Sequence, residues 1–190
     1  MSAIKKVERE SIISAAVKIV RRGGMSALNA RALSKMLGCS TRPIYLTFGG
    51  MDGVKAAVVE NLRSIYMGYI NRAVQSNEYP PYKAYGMGYI KFAREESEAF
   101  RYLFMRNRGD EEEVDDGGES TAKAISALRQ ATGLDEEQAK LFHLEIWIFV
   151  HGIAVMAATR YADFNEEIVS KILTDAYFGL KARFTQTGGN

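Results

Sequence analysis

Three ring side chains, His143, Trp147 and His151, recur at i, i+4 and i+8, a spacing that puts them on one face of a helix. Imidazoles ligate metals, relay protons or hydrogen-bond a ligand. Two histidines eight residues apart hold a metal only with ligands from another helix or subunit, and neither an HExxH run nor a carboxylate cluster accompanies them. The expected role is to line a cavity or an interface, each imidazole hydrogen-bonded to a neighbour, with no metal and no cofactor. The chain has no GxSxG, no Walker A loop and no GxGxxG, and its single cysteine, Cys39, has no histidine in its sequence context. No enzymatic activity is expected.

A different chemistry is written in Leu28 to Phe48, LNARALSKMLGCSTRPIYLTF, which reads as two short helices joined by a Gly-Cys turn. Asn29 can cap the first helix, which would bury Leu33, Met36 and Leu37 with Ala32 and leave Arg31 and Lys35 in water. Gly38 suits the left-handed turn that closes it. Ser40 is the expected cap of the second helix, and Pro43 falls in that helix's first turn, where a missing N–H costs little. Ile44 and Phe48 should point inward, leaving Thr41, Arg42, Tyr45, Leu46 and Thr47 at the front. A helix entering the major groove needs such a front. The fork of Arg42 can grip O6 and N7 of guanine, with Thr41, Leu46 and Thr47 reading or supporting. Asn29, Arg31, Ser40, Tyr45 and Lys55 would hold phosphates and fix the register.

The same residues carry a family resemblance. Gly38, Cys39, Ser40, Ile44, Tyr45 and Phe48 match the G-[VC]-S-x-x-x-[IL]-Y-x-x-F signature of the TetR-like transcriptional regulators, and Ile12, Ala15, Ala16 and the Gly23-Gly24 stop resemble their preceding helix. One position departs: Met51 stands where the family usually places a phosphate-gripping lysine, and Lys55 follows one turn later. Further on, Trp147, the His151-Gly152 pair and Tyr89 to Glu95 resemble the C-terminal domain of the branch named for its Trp-His-Gly motif. The resemblance implies a regulator, usually a repressor, released by a small molecule bound in the second domain.

Composition agrees with a globular binder. The 190 residues are 47% apolar and 25% charged, ordinary for a folded chain. Net charge is only +2, but it is unevenly placed: residues 1 to 60 hold ten Lys or Arg against four Asp or Glu, the remainder fifteen against nineteen. A basic module favours phosphate through counterion release. One free cysteine fits a reducing cytoplasm. No secretory signal is read, because Lys18, Arg21 and Arg22 interrupt the first apolar helix. Leu141 to Ala158 is apolar but carries His143, Glu145 and His151, so it is expected to be a buried helix, not a membrane span.

The elements that must position these residues all read as helices, giving an all-α chain with a helix-turn-helix domain over 1–50 and a ligand-binding and dimerisation domain over 51–190. A first helix spans about 7–22, with Arg21 and Arg22 complementing its C-terminal dipole, and Lys5 and Lys6 precede it in an arm that can approach DNA. A connector helix over 51–75 turns Leu62, Tyr66 and Ile70 toward the second domain. Helices follow from Pro81 and from Phe100, then an acidic, glycine-rich loop over 107–120, a helix ending at Gly133, and one capped by Asp135 with Gln138 in a capping box. A last helix from Asn165 presents Ile168, Ile172, Leu173, Ala176 and Leu180 on one face. The aromatic content of the second domain makes a pocket plausible, lined by Tyr66, Tyr85, Tyr89, Phe92, Phe104, Phe142, His143, Trp147 and His151. The partners expected are a palindromic operator duplex, an effector, and a second copy paired through the last two helices. The alternative is a helical carrier or enzyme using the His143 and His151 face.

Overall fold

The computed structural model describes residues 7–106 and 118–186. The acidic stretch expected as a loop therefore lies outside the described residues from 107 to 117, as do Lys5, Lys6 and the tail beyond 186. Among the described residues the structure is all α-helical, as the apolar periodicity required. Packing divides the chain into two units, residues 1–65 with 96–107 and residues 66–95 with 108–190.

The first unit is built from α1 (Arg9–Gly23), a 3-10 turn (Met25–Ala27), α2 (Ala30–Leu37), α3 (Arg42–Phe48), the amino-terminal part of α4 (Met51–Gln75) and α6 (Ser97–Phe104). Ile12, Ala16 and Val20 on α1 are fully buried with Leu33, Ile44, Val58 and Phe100. Helix α1 packs on both α2 and α6. The Asn29 side chain accepts from the Ala32 amide at 2.9 Å and caps α2. Gly38 closes α2 at φ +64, a conformation that costs a residue with a Cβ. Ser40 does not cap α3: the N-cap is Thr41, in helical conformation and without a side-chain cap bond, so the Pro43 turn is entered one residue later than expected. Met36 was expected inside but is 42% exposed, because an eight-residue helix packed along α1 buries only its Leu33 stripe.

Arg21 takes a role beyond helix-dipole compensation. Its Nε donates to Glu96 Oε2 at 2.6 Å and its Nη2 to Glu96 Oε1, a two-pronged grip on a carboxylate that is 5% exposed. A second constraint joins α3 to α4. A Cβ on Gly53 would lie 2.1 Å from the Phe48 carbonyl oxygen, so the end of α3 rests directly on the first turn of α4.

The second unit holds the rest of α4, α5 (Pro81–Glu95), α7 (Glu119–Thr132), α8 (Glu136–Thr159) and α9 (Glu166–Gln186). Helix α5 is central, packing on α7, α8 and α9. Its approach to α4 is close: a Cβ on Gly88 would meet Ile70 Cα and the Tyr69 carbonyl oxygen at 3.1 Å. Asp135 and Gln138 form the expected capping box of α8. Asn165 accepts from the Ile168 amide at 2.8 Å at the start of α9.

Two expectations for these last helices are corrected. Helix α8 is long and apolar enough to cross a membrane by composition, yet it is only partly buried. Ala139, Phe142, Ile146, Val150 and Ile153 face its neighbours, while Leu141, Leu144, Ile148, Phe149 and Met156 form an exposed stripe on the other side. A helix apolar all round needs cover on more than one face. On α9 Val169, Leu173 and Phe184 are buried and Ile172, Ala176 and Leu180 are half-buried, while Ile168, expected on the covered face, is 45% exposed.

Candidate nucleic-acid interface and ligand cavity

The front of α3 is open. Thr41, Arg42, Tyr45, Leu46 and Thr47 are all exposed, Leu46 to 76%, while Ile44 behind them is fully buried. An exposed leucine and tyrosine beside an arginine leave water only if something covers them, and apolar contact with a thymine methyl is one such cover. Arg31 and Ser40 are exposed at the same end of the unit's sequence. Asn29 is engaged within the fold: besides capping α2, its Nδ2 donates to the Ala27 carbonyl at 3.3 Å. Lys55 pairs with Asp52 one turn earlier at 3.3 Å. Both partners are substantially exposed, so the pair is weak and the ammonium can be shared with a phosphate.

A cavity of about 450 Å³ lies within the second unit. Tyr66, Tyr82, Tyr85, Tyr89, Trp147 and Tyr177 supply an aromatic wall, with the small residues Gly86, Ala124 and Ala127 also lining the cavity. Of the nine residues named from sequence, Tyr66, Tyr85, Tyr89, His143 and Trp147 reach this wall. Phe92 and Phe142 are fully buried in the core behind it, and Phe104 belongs to the other unit. His151 stands one layer back, sharing a 3.0 Å hydrogen bond between its Nδ1 and Tyr89 Oη and stacking on Trp147 at 4.8 Å. Burial holds its pKa below the ordinary histidine value, so it is a neutral prop for two wall residues.

His143 is tied in the same way to Tyr82, Nδ1 to Oη at 3.0 Å. Burial, and then the neighbouring Tyr177, push the Tyr82 phenol far above its usual range, so it stays protonated. Each imidazole is thus hydrogen-bonded to a neighbour, as expected, and in both cases the partner is a tyrosine of α5. Among the described residues no acceptor meets the buried indole Nε1 of Trp147. Among the described residues no three His, Cys, Asp or Glu side chains converge as metal ligands would.

Tyr82, Lys83 and Tyr177 were missed from sequence. Lys83 lies on the cavity wall and donates from Nζ to Ser170 Oγ at 2.6 Å and to Thr174 Oγ1 at 2.8 Å. Thr174 gives its own proton to the Ser170 carbonyl, which leaves its lone pairs free for the ammonium. A signal was available: the positions one helical turn from Lys83 are Tyr79, Pro80, Gly86 and Met87, with no acid to pair it along its own helix.

Comparisons with known proteins give consistent matches. Residues 82–174 match the family model described as "Tetracyclin repressor-like, C-terminal domain". An uncharacterized HTH-type transcriptional regulator of Mycobacterium tuberculosis (strain ATCC 25618 / H37Rv) is 26% identical over 185 residues, covering 91% of this chain and 77% of its own. Among solved structures, a candidate transcriptional regulator from Pseudomonas aeruginosa PAO1 superposes with a TM-score of 0.67 at 16% identity, covering 95% of each chain. A candidate TetR-family regulator from Rhodococcus sp. superposes at 0.63 with 19% identity, covering 91% of this chain and 98% of its own. At those identities the two superpositions establish a shared fold.

Proposed function

We infer that this chain is a DNA-binding transcriptional regulator of the tetracycline-repressor-like family, a repressor released from its operator by a small molecule. The observation that carries this is the front of α3, where Arg42, Tyr45, Leu46 and Thr47 stand exposed on a helix anchored from behind by Ile44. Arg42 is the base-reading residue and Thr41, Leu46 and Thr47 assist it. Ser40, Tyr45, Arg31 and Lys55 contact phosphates, and Asn29 contributes by fixing the start of α2. Residues 1–50, with Lys55 just beyond them, read DNA, and the rest of residues 51–190 binds the effector and dimerises. The exposed apolar stripe of α8, with Phe178 on α9, supports pairing of these helices with a second copy across a two-fold axis. Two recognition helices about 34 Å apart then meet successive major grooves.

The cavity is the effector site. Helix α4 is unbroken from Met51 to Gln75: Gly53 at one end supports α3, and Tyr66 further along belongs to the cavity wall. An effector that binds better to a cavity shape incompatible with the operator-bound spacing shifts the population away from DNA. The Trp147–His151 stack and the Tyr89–His151 bond give the Trp-His-Gly segment a structural purpose, and they support placing the second unit in the branch named for it. A cytoplasmic location follows from the function.

Selection from a random duplex library, followed by a salt titration on the enriched sequence, tests this. A two-fold symmetric site with a steep salt slope is expected. No enrichment from low to moderate salt by folded, ligand-free protein would refute it.

A further inference from the structure

We propose that the cavity takes a compact apolar monocarboxylate, its carboxylate paired with Lys83 and its body held by the tyrosine and tryptophan wall. The proposal deepens, and rests on, the effector-site reading above. Among the described wall residues Lys83 carries the one permanent charge, and no Asp, Glu or Arg joins it. Two of its three N–H groups are directed to neutral hydroxyls, Ser170 Oγ and Thr174 Oγ1, which fix the ammonium without neutralising it and leave one N–H to give. Its other close neighbour is a ring face, that of Tyr79 at 5.2 Å. The Tyr79 hydroxyl in turn donates to Glu166 Oε1 at 3.1 Å. Desolvation lowers the Lys83 pKa, and it is the one cause acting. A positive charge held in a partly dry wall without a counter-ion is stabilised by any anion the cavity admits.

One cation compensates one negative charge, which favours a carboxylate over a phosphate ester whose second charge would face aromatic rings. The volume, about 450 Å³, equals that of roughly fifteen molecules of liquid water, which sets the size of the apolar body. Ala124 and Ala127 present only methyl groups to it.

Isothermal titration of the full chain with para-tert-butylbenzoate, its neutral isostere para-tert-butylbenzamide, the cationic para-tert-butylbenzylamine and decanoate provides the test. We expect at least one carboxylate to bind about tenfold or more tightly than the amide, and the amine to bind more weakly than the amide. In Lys83→Gln the carboxylate-to-amide ratio should fall to about threefold or less, with amide affinity unchanged. Benzoate against decanoate distinguishes an aromatic from an aliphatic body. The proposal is overturned if the amide matches both carboxylates, if the preference survives Lys83→Gln, or if neither carboxylate binds at millimolar concentration. Should Lys83→Gln fail to fold, the carboxylate-to-amide ratio in the unaltered chain decides. These titrations contain no DNA, so their failure leaves the operator reading standing, and a failed operator selection leaves them intact.

Discussion

Ile148 lies in the middle of the exposed α8 stripe at 59% exposure, and Ile148→Asp should separate the dimer without unfolding the protomer. Fully burying an isoleucine stabilises by about 1.5–3 kcal/mol, so covering the exposed 59% contributes about 0.9–1.8 kcal/mol. A two-fold axis uses the residue twice, giving about 2–3.5 kcal/mol. That corresponds to a roughly 20- to 400-fold weaker dimer, a lower bound because two carboxylates would also be desolvated. In the isolated protomer the side chain already faces water, so the unfolding free energy should move by no more than about 0.5 kcal/mol. Sedimentation equilibrium over a dilution series reads the dimer constant, and urea denaturation of dilute protein reads the protomer. A dimer constant within about threefold of the unaltered chain would refute the assignment of this face.

Arg42→Ala should cost about 1–3 kcal/mol per half-site and relax the preferred base opposite it, read by repeating the duplex selection; unchanged selection would remove Arg42 from the base contacts. Gly53→Val drives a side chain into the Phe48 carbonyl, which as backbone has no cheap escape. A loss of about 1–3 kcal/mol in urea denaturation is expected, with weakened operator binding, and a change under about 0.5 kcal/mol would show that α3 is not seated as described. Ala127→Phe should fill the cavity and abolish carboxylate binding while operator affinity stays the same, measured by titration and gel shift. Because burial lowers the His151 pKa in the folded state, the unfolded chain binds the proton more readily. Its contribution is therefore complete above the ordinary histidine value of about 6.5 and is lost as pH falls through the folded value. The thermal midpoint should drop as pH falls from about 6.5 toward the folded value, and His151→Asn should flatten the dependence; an equal slope in both proteins would assign it elsewhere.

What the sequence revealed was set by distance along the chain. Asn29, Gly38 and Asp135 act within four residues of their partners, and each took the role its local chemistry implied. The two histidines likewise found partners, since a buried imidazole needs one wherever the helix lies. Arg21 and Glu96 are 75 positions apart, and nothing in either neighbourhood announces the other. Phe92 and Tyr89 share a helix and a similar size, yet one is core and one is wall. That difference depends on the rotation of α5 against α4, α7, α8 and α9, which no local pattern encodes. Lys83 was accessible in principle, since a lysine in an aromatic run with no acid one turn away is already odd. Ser170 and Thr174, which make it intelligible, come from the far end of the chain.

The grouping of α6 with the first three helices bears on how this protein can be taken apart. The unit that carries α3 is not a detachable cassette at the front of the chain: the main chain leaves it within α4 and comes back to it at Glu96. A gene fragment ending anywhere in α4 would omit Phe100 and Leu103 from beneath α1 and remove the Glu96 carboxylate from the Arg21 guanidinium. Grafting this unit onto another protein thus means transplanting two separated stretches together. An exchange by recombination would need three crossovers, one in α4, one between α5 and α6 and one after α6, to keep that unit whole.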